Sequence, residues 1–584
     1  MNATRPIVTI TVLVILGLVL GIPYVLRPSS ENRDGRAIEL VILSPHHEEI
    51  RYEFGRGFER WYKQRYGQVV HVDWRNVGNT GQISRYISSE FQTAFNRFYS
   101  ENHDGKSVPV KGWSRPASHK DPAKRKLAEQ VCQEMLHSVG SGKVSIGVDL
   151  IFGGGEFEHN RWRKEGYTVP CPVDRHILKG IPQQWAGMDL YYIDQQPGEQ
   201  RRSPSFDPVK QWRPKSDGYW YGTALSGFGI VYNRHTLAHP QLRLAAPRQW
   251  EDLAQSSLYD WIGLADPRSS GSTTKAFEMV LQQQIAYALT DSEDGNRHHS
   301  NEIEKGWTTG LNLIKRMGAN ARFFSQYSTR IPLDVASRNI AMGMAIDFYG
   351  RFQSEYVGND EIGYINPAGG TAISPDPISM LRGAPSRQVA IRFVEYVLSI
   401  DGQMLWDLPA GFQDPDSGRQ GPIRTTNRRM PIRPDVYDEY GRYLKNQENP
   451  FQRSTEQLDY RPEYTARLFT LIRMLIGAMC IDTHDELKRA WKSVAISMSD
   501  EVVEKFDWLP ITHAEAMWLT GADKEEIRVL HPDWNPSAHF RSSQGALENS
   551  DSRTRLALQW LHQFRDRYRY VSRITDPSVK PHQR

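Results

Sequence analysis

Trp261 to Gln283 reads WIGLADPRSSGSTTKAFEMVLQQ, and the order of its parts decides the fold class. Ile262 to Ala265 is a short apolar run that predicts a buried strand. Asp266-Pro267 signals a turn. Ser269, Ser270, Gly271 and Ser272 then lead into a helix whose Phe277, Val280, Leu281, Ile285 and Ala288 share one face. A strand feeding a Gly/Ser turn and a helix leaves first-turn N–H groups without intrahelical acceptors, at the positive end of the helix dipole. Such a turn can cradle an anion. It can equally be the cap of a structural helix, and the stretch alone leaves both readings open. The spacing of a P-loop is absent.

Composition narrows the class. With 584 residues the chain has room for more than one domain, and 39% hydrophobic beside 24% charged residues describes a folded globular protein. Lys+Arg 72 against Asp+Glu 68 gives a net charge of +4. That bias is too small to argue for nucleic acid, and no zinc-finger spacing or aromatic-and-basic RNA motif appears. Cys132, Cys171 and Cys480 form neither a CxxC pair nor a metal-ligand pattern.

Ile7 to Leu26, IVTITVLVILGLVLGIPYVL, is a run of about 20 residues without charge, long enough to span a bilayer. Arg5 precedes it, no small-x-small site closes it, and the first cysteine lies far downstream. The expectation is an uncleaved signal anchor with its linker over residues 1–36, a single N-terminal pass of the cell membrane. The bulk then lies on the periplasmic or extracellular side.

Further along, Ile38 to Leu43 reads as a strand, Ser44-Pro45-His46-His47 as a turn, and Glu48 to Tyr66 as a helix with Ile50, Phe54 and Phe58 on one face. Val69 to Trp74 is the next strand, which makes a βαβ unit and implies a parallel sheet covered by helices. Val148 to Phe152 is a strand running into Gly153-Gly154-Gly155-Glu156. Ligands in such sheets sit beyond the carboxyl ends of the strands, so Gly154 and Gly155 are candidate ligand contacts as well as a tight turn. Asn102 to Asp121 and Gln195 to Asp217 are polar and broken by Gly and Pro, and both predict surface insertions. Tyr221 to Tyr232 reads as two strand segments about Ser226-Gly227, and Ile340 to Phe348 as a strand closing on Asp347-Phe348-Tyr349. Thr465 to Ile481 is strongly apolar yet holds Arg467 and Arg473, which predicts a buried helix. Arg555 to Tyr568 is a basic amphipathic helix expected to turn Leu558, Leu561 and Phe564 inward.

These elements, in this order, resemble the extracytoplasmic solute-binding proteins of ABC importers, in the two-lobed group that includes ferric-iron, thiamine and phosphonate binders. The resemblance rests on the Ser44–His47 turn, the Val148–Phe152 strand, Ala224 to Asn233 as the crossover strand, Ala265 to Ser272 as the anion-binding turn, and Ser399-Ile-Asp-Gly-Gln-Met-Leu-Trp406. It runs from about Ile38 to about Pro431. It implies an α/β fold of two parallel-sheet lobes about a hinged cleft, with an extra helical C-terminal region. The expected bounds are 37–231 plus 366–430 for lobe 1, with insertions at about 90–145 and 180–218, 232–365 for lobe 2, and 431–584 for the extension.

The resemblance also implies a function without catalysis: capture of a small anionic or phosphorylated organic solute for an ABC permease. Ser270, Gly271 and Ser272 match the anion-holding positions, and Ser226, His47, Asp347 and Tyr349 would meet the solute from the two sides. Ferric iron with a synergistic anion is the alternative cargo, with Tyr349, His47, Glu156 and Asp347 as donors; no resident cofactor is expected. The chain departs from the ferric binders at Phe348, where they carry a second tyrosine, and loss of a phenolate weakens a site for hard trivalent iron. A tethered sensor is a further reading. An enzyme is disfavoured, because Ala224 and Phe228 replace the glycines of a nucleophile elbow around Ser226. His47-Glu48 is also followed by Arg51 where a zincin needs its second histidine.

Overall fold

In a computed structural model the residues described are 37–114, 119, 121–138, 144–185, 188–193, 218–290, 299–446, 449–452, 458–497, 499–537 and 540–575. The expected anchor and linker, and residues 195–217 of the second expected insertion, lie outside them.

Ile38–Leu43 forms β1 and Val70–Arg75 forms β2, parallel to it in register Ile38↔Val70. The Glu48–Tyr66 helix makes the crossover, buries Ile50, Phe54 and Phe58, and stops at Gly67 in the left-handed region (φ 68°). Further strands follow as β3 (Leu150–Phe152), β4 (Thr168–Val169), β5 (Gln184–Trp185), β6 (Met188–Asp189), β7 (Tyr191–Ile193) and β8 (Gly218–Ser226). Then come β9 (Phe228–Asn233), β10 (Ile262–Ala265), β11 (Ala321–Ser325), β12 (Met342–Ile346), β13 (Ile362–Ile365), β14 (Ser374–Leu381) and β15 (Met430–Pro431).

Two main sheets result. The first has the path β15-β8-β14-β3-β1-β2, with β4 on β14 and β7 on β8; the second has the order β11-β10-β12-β9-β13. Each sheet is mixed rather than parallel. β14 runs antiparallel to β3 and β8, and β9 runs antiparallel to β12 and β13. The first sheet gives up the chain at Ser226 and the second takes it at Phe228, so the lobe boundary falls at Gly227 and not after residue 231.

Three expected features are corrected by packing. The first insertion is no mere surface loop: Phe91, Phe95, Val110, Trp113, Val131 and Met135 form an apolar cluster on lobe 1. The region after residue 431 is not one unit. Tyr437 and Tyr440, with Phe451 against them, pack beside Met404 and Leu408 of lobe 1, whereas Leu468, Leu471, Ile472 and Leu475 share a core with Phe277, Val280 and Leu281 of lobe 2. Finally, the Ser550–Ile574 helix buries Trp560, Phe564, Tyr568 and Val571, while Leu558 is 49% exposed. The apolar segment Pro462–Ile481 is long and apolar enough to cross a membrane. Here its Phe469–Ile476 helix is built into the lobe 2 core.

The shared core makes a prediction. Ile472 is fully buried, so Ile472→Ala should cost about 2–5 kcal/mol in chemical denaturation. Amide exchange should quicken in the Gly271–Thr290 helix of lobe 2 as well as around residue 472. Quickening confined to the extension would contradict a common core.

Candidate solute cleft

The carboxyl ends of the strands meet between the lobes. Lobe 1 contributes the turns after β1 and β3, and lobe 2 the turns after β10 and β12. Between them lies a cavity of about 1120 Å³ whose lining includes His46, Gly154, Glu156, Ser270, Ser272 and Tyr349.

Its lobe 1 side is tied together by a buried ionic cluster. Asp376, at a bulge in β14, accepts a 2.8 Å hydrogen bond from Gly154 N through Oδ1. Its Oδ2 lies 2.6 Å from His46 Nε2 and bonds Arg429 Nη1. Arg429 Nη2 donates to Ser226 Oγ at 2.9 Å. Burial opposes the Asp376 charge, but Arg429 and His46 beside it hold the carboxyl far below the usual carboxylate range. An ionised carboxylate is acceptor-only, so the His46 proton sits on Nε2. His46 Nδ1 is then an acceptor, and among the described residues it has no partner. Burial also lowers the His46 pKa, against the pull of Asp376. Gly153 and Gly154 adopt φ of 101° and 117°, and a Cβ on Gly153 would stand 2.7 Å from His46 Nε2. Glycine is required there on both counts.

The lobe 2 wall is the turn before the Gly271–Thr290 helix. Ser270 Oγ accepts from Thr273 N at 3.3 Å, which is an N-cap. Ser270 Oγ also lies 2.9 Å from Ser272 Oγ and 3.5 Å from Ser328 Oγ. The turn is therefore both a cap and a cluster of hydroxyls on the cavity wall. Gly271 needs no special backbone: a Cβ there would sit 3.6 Å from Arg473 Nη2, an ordinary contact. One turn on, Lys275 Nζ lies 3.3 Å from Glu156 Oε1, 3.0 Å from Glu278 Oε2 and 3.9 Å from the centre of the Tyr460 ring.

Of the residues singled out from sequence, Ser270, Gly271, Ser272, Ser226, His47, Tyr349, Gly154, Gly155 and Glu156 all line the cavity. Asp347 is a correction. Its carboxylate accepts from Gly227 N at 3.0 Å and from Phe348 N at 2.7 Å, is 1% exposed, and lies outside the lining. It fixes the interlobe crossover instead of meeting a solute.

The expected donor set does not suit ferric iron. Burial pushes the Tyr349 phenol up, which adds to the cost of the phenolate that iron would need. The Tyr349 ring lies against that of His47, with centroids 4.6 Å apart and planes tilted by 37°. Glu156 is committed to Lys275 and Asp347 to the backbone. Among the described residues no group of three or more His, Cys, Asp or Glu side chains converges. A hard trivalent ion needs several anionic oxygens, and these residues do not offer them together. Phe348 lines the cavity, with the Arg429 guanidinium 4.3 Å from its ring centre.

Sequence reasoning missed Asp376, Arg429, Lys275 and the lining residues of the extension, which include Tyr460, Arg467 and Thr470. The one local signal was charge within an apolar pattern, as at Lys275.

Protonation near the cleft gives a test. His159 is fully buried behind Gly153, with Nδ1 2.6 Å from Ser379 Oγ. Burial lowers its pKa from 6.5 to about 4. Between those values the unfolded ring binds a proton that the folded one does not, so stability falls as pH drops through this window. In His159→Gln the thermal midpoint should vary less from pH 6.5 to 4. Equal slopes in the two proteins would contradict the assignment.

Known proteins can now be set beside this geometry. Residues 178–412 match a family model described as bacterial extracellular solute-binding protein. The phosphoglycerate transport regulatory protein PgtC of Salmonella typhimurium is 25% identical over 182 residues, 31% of this chain and 39% of that protein. The chain thus spans about two fifths of the length of that curated relative. Among solved structures, the periplasmic binding protein AfuA of Actinobacillus pleuropneumoniae, with fructose-6-phosphate bound, shares 16% identity over 63% of this chain and 81% of its own, at a TM-score of 0.39. Apo ferric ion-binding protein A of Pasteurella haemolytica shares 10% over 76% and 98%, at 0.42. The chain has two α/β lobes about one cleft, and its residues 178–412 are similar to the bacterial extracellular solute-binding proteins.

Proposed function

We propose that the chain is the solute-binding component of an ABC-type importer, held at the membrane by the 7–26 segment, and that its cleft captures a small anionic or phosphorylated organic solute. The observation that carries this reading is the pairing of a hydroxyl-lined helix start with a large cavity. Ser270, Ser272 and Ser328 cluster there, and the N–H groups of that first turn have no intrahelical acceptor. The cavity, about 1120 Å³, is slightly larger than the range typical of organic ligands, roughly 300–1,000 Å³. A bare inorganic ion would leave most of it to water. The name of the Salmonella relative, a phosphoglycerate transport protein, supports a phosphorylated acid.

The same name carries the word regulatory, which favours a second reading: a tethered receptor that reports solute to a membrane signalling partner. Both readings share the cleft and its chemistry. They differ in the partner, which is an ABC permease in the first.

Calorimetric titration with phosphorylated three-carbon acids and sugar phosphates tests the cleft. Saturable binding of one solute per chain is expected. Ser272→Asp, which sets a negative charge at the helix start, should weaken it at least about tenfold, roughly 1.4 kcal/mol. Failure of every anion in the panel to bind, or equal affinity in Ser272→Asp, would count against the proposal.

A further inference from the structure

The C-terminal extension does more than cover lobe 2. Its Tyr460, Arg467, Phe469 and Thr470 line the cleft, and its Phe469–Ile476 helix reaches lobe 1 at the first turn of the Glu156–Lys164 helix. There Phe157 stacks on Phe469, with ring centres 4.4 Å apart and planes at 28°. Arg473 lies against both rings, its guanidinium carbon 5.4 Å from the Phe157 centre and 4.6 Å from that of Phe469. Its Nη1 is 2.9 Å from Glu158 Oε1 of lobe 1, and its Nε donates to Thr274 Oγ1 of lobe 2 at 2.9 Å. One side chain of the extension thus bonds both lobes. Beside it, Glu156 of lobe 1 pairs with Lys275 of lobe 2, whose ammonium sits over the Tyr460 ring of the extension.

The extension itself rides with lobe 2. Besides the common core, Tyr460 OH donates to Glu278 Oε1 at 2.7 Å, Gln282 Nε2 to Thr465 Oγ1 at 2.7 Å, and Arg268 Nη1 to Asp482 Oδ1 at 2.9 Å. Any hinge motion at Gly227 therefore moves lobe 1 against lobe 2 and the extension together, and it strains the contacts at Glu156, Phe157 and Glu158 along with the Arg428–Glu355 ion pair (3.1 Å) and the His47–Tyr349 ring contact. Arg473 is only 16% exposed and Glu158 3%, so the pair is poorly screened by water and by salt.

We propose that the extension is a working third wall of the cleft and that Arg473 is its positioning residue, clasping the lobes shut without any solute. The clasp sets the closure equilibrium that solute binding acts on. It stands whatever the cleft binds.

Spin labels at Gln64 of lobe 1 and Ser337 of lobe 2, both exposed, read closure directly by electron–electron distance measurement on the full chain in detergent without added solute. Cys132 is replaced by Ser; Cys171 and Cys480 are buried. The parent should give one short distance. Arg473→Met and Glu158→Gln should each shift population to longer distances, the double variant no further than the larger single. Arg473→Lys should lie between, since a lysine keeps the charge but not the fork that meets both lobes. Thermal midpoints are measured alongside, and the isosteric Glu158→Gln decides the matter if Arg473→Met does not fold. A parent distribution already long and broad, or a Glu158→Gln distribution identical to the parent, overturns the proposal.

Discussion

One buried carboxylate holds the cleft side of lobe 1 in place. Asp376 gathers the turn after β3 through Gly154, the turn after β1 through His46, and Arg429, which in turn holds Ser226 at the end of β8. A charge so placed is tolerable only because its partners are equally fixed, and removing one partner of such a group typically costs about 3–5 kcal/mol. The cluster also decides what the cleft can do. Arg429 is already neutralised by Asp376 and flanked by Phe348 and Trp406. It is therefore a structural cation and not an open anion receptor. The donors for the anion proposed above would come from the opposite wall, where hydroxyls and first-turn N–H groups gather before the Gly271–Thr290 helix.

That wall is itself held from behind by the extension. Arg268 in the serine turn pairs with Asp482, and Thr274, one turn into the helix, is bonded by Arg473. The three parts of the chain thus act as two bodies, lobe 1 on one side and lobe 2 with the extension on the other. The crossover at Gly227 is pinned by Asp347. Binding energy gained across such a cleft is spent in part on closure. A clasp that offsets some of that cost without solute trades specificity of closing for affinity.

Local pattern carried much of this into the sequence. The βαβ start, the strand before Gly153 and the strand–turn–helix about Ser270 each lie within one window of alternating or helical periodicity, and each forms as read. What the sequence hid is long-range. His46 meets Asp376 across 330 positions and Arg429 across 383, separations at which no spacing rule operates. β14 was illegible because Pro375 and Pro377 read as strand breakers. They are accommodated by the bulge that also aims Asp376 at its partners. Asp347 misled for the opposite reason: the resemblance set it beside the tyrosine positions of the ferric binders, and only the backbone N–H groups of Gly227 and Phe348 show that its bonds are already made.

The central proposal is that the cleft captures an organic anion and not a metal ion. Native mass spectrometry of the purified full chain, released from detergent and compared with the same sample after unfolding, reads the cargo directly. The account predicts a single added mass of an organic, phosphate- or carboxylate-bearing molecule, lost on unfolding and absent from Ser272→Asp. An adduct of iron that survives in Ser272→Asp and disappears in Tyr349→Phe would contradict it.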